Sequence, residues 1–320
     1  MKTVFIVNPK AGQGRDSQKL IEKIRQISAL LNADTEIYET RGVGDATSFV
    51  REFCEKRGCA RFIACGGDGT LNEVLNGAID SEGSEIGVIP IGTGNDFCRN
   101  FSGSADFTDI KSQINGRCKK CDIIKYESVS DGKEKNGYSI NMFNIGFDCN
   151  VADMTAEMKK KPFISGSIAY FISILTTLIK KKGADLKIEL DGMLKHDGPL
   201  LLTSIANGSY CGGGIKSNPL ASVQDGFINV NIIKNVSRIK FVYLLPFYMK
   251  GTFLKIKNIE RIISSVNCRK INITSNDGVI KFCNDGEISS AEKIQFEVVK
   301  SAVNFVVPGE MIFSEKLLTK

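Results

Sequence analysis

A glycine-rich turn set between a strand pattern and a helix pattern restricts this chain to a small number of folds. Residues 65–70 read Cys-Gly-Gly-Asp-Gly-Thr; the apolar run Arg61–Cys65 predicts a strand before the turn, and Leu71–Ala78 predicts a helix after it. Neighbouring segments repeat this alternation, which predicts a parallel sheet covered by helices. The other elements predicted here are strands Val4–Val7, Thr35–Tyr38 and Ile86–Ile91, helix Gln18–Leu31, and helix Asp45–Lys56 with Asp45 as its N-cap.

The pattern changes near residue 122. Beyond it, short apolar runs are separated by turn pairs such as Asp191-Gly192, which predicts a mostly antiparallel β-sandwich domain after the N-terminal α/β domain. We place the two domains at residues 1–122 and 123–307, with residues 308–320 packing back on the first; two domains are usual for 320 residues. The strands predicted in the second domain are Asp122–Glu127, Ser139–Ile145, Leu186–Leu190, Leu200–Asn207, Phe227–Ile233, Lys270–Ser275, Val279–Cys283, Lys293–Val299 and Ala302–Val307.

Composition excludes several classes of protein. With 42% apolar and 24% charged residues, the chain is neither collagen, nor a disordered tail, nor a multi-span membrane protein. Its net charge of +6 does not by itself indicate nucleic-acid binding. The single histidine, His196, lies in a predicted turn, so acid-base chemistry falls to carboxylates, Lys, Tyr or Cys. Ten scattered cysteines and an N-terminal apolar run too short for a signal peptide indicate a reducing cytoplasm. Coincidence explains the lone pair Cys118 and Cys121 better than a zinc or redox site.

Polar segments follow the predicted strands of the first domain, where open α/β sheets place ligands. Gly66, Gly67 and Gly69 allow close backbone approach, and the helix that follows offers N–H groups to a phosphate. Asp68 would repel a phosphate directly, so two readings remain open for it. It is either the cap of the helix or a ligand of Mg²⁺ that lies against phosphate oxygens.

Two further segments add to this constellation. Residues 92–96, Gly-Thr-Gly-Asn-Asp, supply a hydroxyl, an amide and a second carboxylate, Asp96. Residues 8–14, Asn-Pro-Lys-Ala-Gly-Gln-Gly, only begin a dinucleotide fingerprint, because Ser17 stands at its third glycine position. The sequence contains no GxxxxGK[ST] P-loop. Two glycine loops carrying Asp68 and Asp96 therefore predict a phosphate and metal site of another kind.

The order of these segments resembles the diacylglycerol kinase catalytic-domain family, in particular its bacterial lipid kinases. The resemblance rests on NPKAGQG (8–14), GGDGTLNEV (66–74) and IPIGTGNDF (89–97). It extends over essentially the whole chain through NIGFD (144–148), the glycine-rich stretch Asn207–Asp225 and NDGE (284–287).

The resemblance implies a two-domain kinase with ATP and Mg²⁺ in the cleft between its domains. Mg²⁺ would be organised by Asp68 and Asp96, partly through water, and Asp285 would be the general base toward a lipid hydroxyl, with Glu287 beside it. A second, structural metal would use Asp225 and the main-chain oxygens of Ser222 and Phe227. The implied nucleotide-binding residues are Asn8, Pro9, Lys10, Ala11, Gly12, Thr40, Gly66, Gly67, Asp68, Gly69, Thr70, Leu71, Asn72, Thr93 and Asn95. Taken without the resemblance, Asp225 and Asp285 are also ordinary turn residues, each followed by glycine.

Two apolar stretches of the second domain suit contact with lipid. Phe163–Ile179 is uncharged over 17 residues and is flanked by lysine triplets. It is short for a membrane span and predicts a helix packed on the sheet; we hypothesise that Lys159–Lys182 docks on anionic lipid. Phe241–Leu254 is a second candidate acyl-chain surface, in which Phe253 replaces a histidine expected in many relatives. The expected partners are ATP and a lipid substrate at the inner membrane face, not nucleic acid, and the chain could form a homodimer.

The leading interpretation is an ATP-dependent lipid kinase that converts diacylglycerol to phosphatidic acid. An NAD kinase is the nearest enzyme alternative, because that related fold also carries GGDGT, whereas GTGNDF and Asn207–Asp225 favour the lipid kinase. A catalytically weak lipid- or nucleotide-binding regulator is a different class, and retention of the five acidic motif residues argues against it. Diacylglycerol, monoacylglycerol, polyprenol and sphingoid acceptors are not distinguished by the sequence.

Overall fold

The computed structural model describes residues 1–14, 17–103, 106–147, 183–285, 287–309 and 311–313. They fall into two compact units. The first takes its residues from Met1–Ile123, Val223–Asp225 and Val299–Lys320, and the second from Ile124–Ser222 and Gly226–Val298. Buried Asp122 ties the segments of the first unit together, because its side chain accepts from the Ser301 N–H at 2.7 Å and its N–H donates to the Val223 carbonyl at 2.7 Å.

The first unit is built on a parallel sheet, as the alternation of strand and helix patterns predicts. Its strands run in the order β2-β1-β3-β4. The C-terminal part of a long strand, β17 (Lys293–Val307), continues the sheet in parallel beside β4. The elements are β1 (Thr3–Val7), α1 (Ser17–Leu30), β2 (Thr35–Glu39), α2 (Asp45–Arg57), β3 (Arg61–Gly66), α3 (Asp68–Ala78), β4 (Glu85–Pro90), β5 (Phe101–Gly103) and α4 (Ile110–Asn115). A short strand, β18 (Met311–Phe313), pairs with β5.

Apolar side chains fill both faces of this sheet. β1 is buried along its whole length, which is the pattern of a parallel strand covered by helices on two sides. Phe5, Ile63 and Ile89 from three neighbouring strands form one core with Ile21 and Ile24 of α1. This rigid core fixes the carboxyl ends of β1, β3 and β4 relative to one another.

The second unit is a β-sandwich, so the predicted fold class is confirmed. One sheet has the order β10-β9-β14-β17-β6-β7, and the other has the order β13-β12-β11-β8-β15-β16. The core between them includes Ile188, Ile271 and Phe296 from the first sheet and Phe143 and Val230 from the second. The strands are β6 (Arg117–Ser130), β7 (Lys133–Ser139), β8 (Met142–Gly146), β9 (Ala184–Leu190), β10 (Met193–Leu200), β11 (Leu202–Ala206), β12 (Ile228–Ile233), β13 (Ile263–Cys268), β14 (Lys270–Ser275), β15 (Ile280–Asn284) and β16 (Glu287–Ala291), with helix α5 (Arg238–Met249).

Two local predictions were wrong. Asp45 does not cap α2: the N-cap is Gly44, at φ 81°, and the Glu73 carboxylate accepts from the N–H groups of Gly44 and Ala46 instead. His196 does not lie in a turn; it is half-buried on β10, and its Nε2 lies 3.0 Å from the Gly198 carbonyl oxygen.

Burial explains the state of the cysteines on β6. Residues three apart on a strand point to opposite faces, so Cys118 and Cys121 do not form a common site. Burial raises the pKa of the Cys118 thiol to about 12 and also raises that of Cys121. The same cause raises the pKa of Cys65 in β3. At neutral pH these groups are thiols rather than thiolates, which agrees with the explanation of the CxxC pair as coincidence.

We expect the free energy of unfolding to fall as the pH rises above about 9, because Cys65 and Cys121 are 0% exposed. In the unfolded chain these thiols ionise near their ordinary pKa, whereas in the folded chain they keep their protons. The unfolded state then binds fewer protons, and each thiol contributes a loss of about 1.4 kcal/mol per pH unit. Urea unfolding under reducing conditions at pH 8, 9 and 10 measures the slope. Cys121→Ala should reduce that slope by the contribution of one thiol. Cys59→Ala, at an exposed cysteine, is the control and should leave the slope unchanged. Equal slopes in the wild type and both variants would contradict this explanation.

Candidate functional site

The three polar segments of the first unit lie at one edge of its sheet. β1, β3 and β4 are adjacent and parallel, and their carboxyl ends are in register, with Val7 opposite Cys65 and Cys65 opposite Ile89. The segments that begin at Asn8, Gly66 and Gly92 therefore leave the sheet side by side. Thr40 follows β2 at the same edge, where its N–H donates to the Val7 carbonyl at 2.9 Å.

The side chain of Asp68 joins two of these segments. Its Oδ1 accepts from the backbone N–H of Asp96 at 2.8 Å and from that of Phe97 at 3.2 Å. The N-cap of α3 is Gly67, which has no side chain to cap the helix, and Asp68 lies in the first helical turn. Of the two interpretations left open for Asp68, the helix cap is therefore wrong. The second oxygen of this carboxylate, Oδ2, accepts neither of these two N–H groups.

The Oδ2 atoms of Asp68 and Asp96 face the same small volume. A Cβ built on Gly94 would lie 2.9 Å from Asp68 Oδ2 and 3.3 Å from Asp96 Oδ2. Two carboxylate oxygens fit Mg²⁺, which is usually bound by one or two carboxylates, waters and substrate phosphates. A metal site made by protein side chains alone usually contains three or more His, Cys, Asp or Glu residues. The described part of the chain contains no such cluster.

Hydrogen bonds also connect the first segment to the second. Asn8 Nδ2 donates to Thr70 Oγ1 at 3.1 Å, and Asn8 Oδ1 accepts from the Lys10 N–H at 3.0 Å. Gly12 has φ +60°, and a Cβ there would meet the Ile91 carbonyl oxygen at 2.9 Å. Asn95 donates to the Gly92 carbonyl at 2.7 Å, and its Oδ1 is buried without a partner in the described structure.

The other residues implied for the nucleotide differ in exposure. Leu71 is 1% exposed and belongs to the core, so its side chain is not available to a ligand. Thr93 and Lys10 are exposed. The partly exposed residues are Pro9, Ala11, Gly67, Asp68, Gly69 and Asn72, whereas Gly66 and Thr70 are buried.

Close contact of two glycines predicts a severe effect for Gly92→Ala. A Cβ on Gly92 would lie 2.4 Å from the Gly67 Cα, a backbone atom that cannot rotate away. We expect a loss of at least about 2 kcal/mol in the free energy of unfolding, measured by urea titration. Gly69→Ala is the matched control: nothing lies within 4 Å of its Cβ position, and in the first turn of α3 it should be neutral or slightly stabilising. Similar losses in both variants would contradict the close-contact explanation.

In the second unit, Asp285 is held in a fixed orientation at the turn between β15 and β16. Its Oδ2 accepts from the Ser139 hydroxyl at 2.7 Å, and its Oδ1 accepts from the Met142 N–H at 3.0 Å. Asp285 has φ 45°, a left-handed conformation that Asp tolerates better than most residues. Glu287, the other implied catalytic residue, is exposed at the start of β16.

Tyr126 is a site residue that the sequence analysis missed. It is 7% exposed, and its ring packs on Phe143 with centroids 5.1 Å apart. Burial, and then the charges of Glu287 and Asp285, raise the pKa of its hydroxyl. The Tyr126 hydroxyl is therefore within the electrostatic influence of both carboxylates. No local pattern marks this position, because it is remote in sequence from the turn.

The residues implied for a second metal are divided between the two units. Asp225 is grouped with the first unit, and Ser222 and Phe227 with the second, where the Phe227 ring centroid lies 5.1 Å from the Arg269 guanidinium carbon. The predicted helix Phe163–Ile179 and the docking segment Lys159–Lys182 lie outside the described residues. Within the described ranges, none of the helices has the length and apolar character needed to span a bilayer.

Comparisons with known proteins agree with the geometry. The Diacylglycerol kinase catalytic domain family matches residues 2–126, and the YegS C-terminal NAD kinase beta sandwich-like domain matches residues 141–307. A diacylglycerol kinase of Bacillus subtilis is 26% identical over 310 residues, 96% of each chain. The crystal structure of a proposed diacylglycerol kinase from Bacillus anthracis aligns with TM-score 0.71 at 26% identity, covering 96% of each chain. Yeast NADH kinase shares the fold alone, with TM-score 0.54 at 10% identity and coverage of 97% of this chain and 84% of that one. The chain therefore belongs to the family of proteins that join a Diacylglycerol kinase catalytic domain to a YegS C-terminal NAD kinase beta sandwich-like domain, and it is a lipid kinase.

Proposed function

We propose that this lipid kinase transfers the γ-phosphoryl group of ATP to the hydroxyl of diacylglycerol, forming phosphatidic acid. The observation that carries the proposal is the junction at Asp68, which binds the Gly92–Asp96 loop through one oxygen and shares a small volume with Asp96 through the other. The names of the relatives favour diacylglycerol over other hydroxyl lipids.

In this proposal the first unit binds and orients the phosphoryl donor. Backbone N–H groups of the glycine segments, and the N-terminus of α3, suit phosphate oxygens. Asp68 and Asp96 would hold Mg²⁺, which when bound would offset the negative charge of the transferred group. Phosphoryl transfer requires mainly positioning and charge stabilisation, and this arrangement supplies both.

Asp285 acts in the proposal as the general base. The Ser139 hydroxyl and the Met142 N–H orient its carboxylate, and a carboxylate held in this way can accept the proton of the lipid hydroxyl. Glu287 adds negative charge beside it. We further propose Asp225, with the main-chain oxygens of Ser222 and Phe227, as a structural metal site.

The proposal is tested by incubating the protein with labelled ATP, Mg²⁺ and a panel of acceptors in mixed micelles. The panel contains diacylglycerol, monoacylglycerol, a polyprenol, a sphingoid base and NAD. Labelled phosphatidic acid as the main product is the expected result. Phosphorylation of NAD alone would overturn the proposal. Preference for another lipid would show that diacylglycerol is not the acceptor, but the protein would still be a lipid kinase.

A further inference from the structure

Helix α5 presents apolar side chains on two opposite faces. Phe241, Leu244 and Tyr248 are buried in one core cluster of the second unit, together with Phe253. The stretch Phe241–Leu254, predicted as an acyl-chain surface, therefore has two parts. These residues belong to the core, and other residues of the stretch face outward. A helix apolar all round is normally buried or spans a membrane, but 12 residues extend only about 18 Å, too short for a span.

The outward face of α5 is large and apolar. Ile239 is 86% exposed, Val242 57%, Tyr243 60% and Met249 40%, and Pro246 is exposed between them. At 100° per residue these five side chains lie on one side of the helix, opposite the buried three. Isolated exposed apolar residues are common, but a contiguous apolar helix face indicates an interaction surface.

The chain segment that carries this face is strongly basic. Residues 226–259 contain six Lys or Arg and no Asp or Glu. All six basic side chains are exposed: Lys234, Arg238, Lys240, Lys250, Lys255 and Lys257. An apolar face carried by a basic segment matches the interface of an anionic bilayer, where apolar groups enter the acyl boundary and cations meet the phosphates.

We infer that the outward face of α5 docks the enzyme on the surface of an anionic phospholipid bilayer. The inference rests on the proposed function for its setting, since a kinase acting on diacylglycerol must reach a substrate within a bilayer. Ile239, Val242, Tyr243 and Met249 enter the interface, and the surrounding basic side chains bind lipid phosphates. The residues of this surface do not overlap in sequence with the segment Lys159–Lys182.

Vesicle sedimentation tests the docking surface. The wild-type protein should bind phosphatidylglycerol vesicles and bind phosphatidylcholine vesicles at least about tenfold more weakly, with binding reduced several-fold between 0.1 and about 0.5 M salt. Ile239→Glu with Tyr243→Glu should lower the partition coefficient roughly tenfold or more, because two charges replace inserted apolar groups. Met193→Glu, at a residue 72% exposed on β10, is the matched control and should bind like the wild type. Thermal unfolding of each variant verifies its fold.

Other occupants of the face give different results. If the double variant is a monomer where the wild type is a dimer, and its vesicle binding is unchanged, the face is an interface between copies and the inference is wrong. The inference is also wrong if the double variant binds vesicles as well as the wild type does. It is equally wrong if only Lys-to-Glu changes within Lys159–Lys182 abolish vesicle binding.

A monomeric short-chain diacylglycerol separates this inference from the proposed function. The double variant should phosphorylate dioctanoylglycerol in solution at the wild-type rate. If no lipid is phosphorylated by either protein but only the double variant loses vesicle binding, the proposed function fails and the docking surface stands. If dioctanoylglycerol is phosphorylated and both proteins bind vesicles equally, the docking surface fails and the function stands.

Discussion

Asp285→Asn is expected to lower kcat for lipid phosphorylation by about 10³-fold with the fold intact. The amide cannot take the proton of the acceptor hydroxyl, and loss of a general base costs about 10²- to 10⁴-fold. The fold is preserved because the amide oxygen can accept from the Met142 N–H and the amide nitrogen can donate to the Ser139 hydroxyl. Steady-state kinetics in mixed micelles, with thermal unfolding of the same sample, measures both effects.

The chain contains a matched control for this variant. Asp277 also lies in an Asn-Asp-Gly turn, and its Oδ1 also accepts from a serine hydroxyl, that of Ser275 at 2.7 Å. Asp277→Asn therefore makes the same chemical change in another Asn-Asp-Gly turn and should keep wild-type kcat. Near-normal activity of Asp285→Asn would remove Asp285 from the mechanism, and equal losses in both variants would point to a turn effect instead.

The parts of the site that the sequence predicts are those fixed by local chain geometry. The glycines around Asp68 and Asp96 follow short apolar strands, and in a parallel sheet such strands end at one edge. That rule places both carboxylates at the same edge. It does not give the adjacency of β1, β3 and β4, which comes from the packing of the whole sheet.

The parts that the sequence misses depend on partners remote along the chain. Ser139 donates to Asp285 across 146 residues, and no pattern near either residue announces the pair. Likewise Glu73, within the GGDGTLNEV segment, caps α2 through the N–H groups of Gly44 and Ala46. A carboxylate from a neighbouring helix thereby takes the place of the local cap predicted at Asp45.

The strands that the sequence patterns failed to predict include a polar one. β7 reads Lys-Glu-Lys-Asn-Gly-Tyr-Ser and is exposed over its first four residues, so it lacks the apolar alternation that indicates a strand. It forms because its backbone pairs with β6 in seven-residue register. The predicted strands Lys293–Val299 and Ala302–Val307 are one strand, β17, interrupted only by Ser301 at φ 53°.

Asp68→Asn is expected to lower kcat/KM for ATP by about 10²-fold or more and to raise the Mg²⁺ concentration needed for half-maximal activity. The amide oxygen still accepts from the N–H groups of Asp96 and Phe97, so the two loops stay joined. The variant loses only the charge that faces Asp96, and a metal's stabilisation of transferred phosphoryl charge amounts to several kcal/mol. Titrating Mg²⁺ at fixed ATP measures the shift.

Two further variants separate the metal role of Asp68 from its role as a link between loops. Asp109→Asn changes another carboxylate of the same unit, one that accepts from the Ser112 N–H at the start of α4, and should leave the Mg²⁺ requirement unchanged. Asp68→Ala removes the acceptor as well as the charge and orphans two N–H groups, which should cost about 1–3 kcal/mol of stability beyond Asp68→Asn. If Asp68→Asn loses stability like Asp68→Ala but keeps the wild-type Mg²⁺ requirement, Asp68 is a structural link alone, and the metal must be held by other groups.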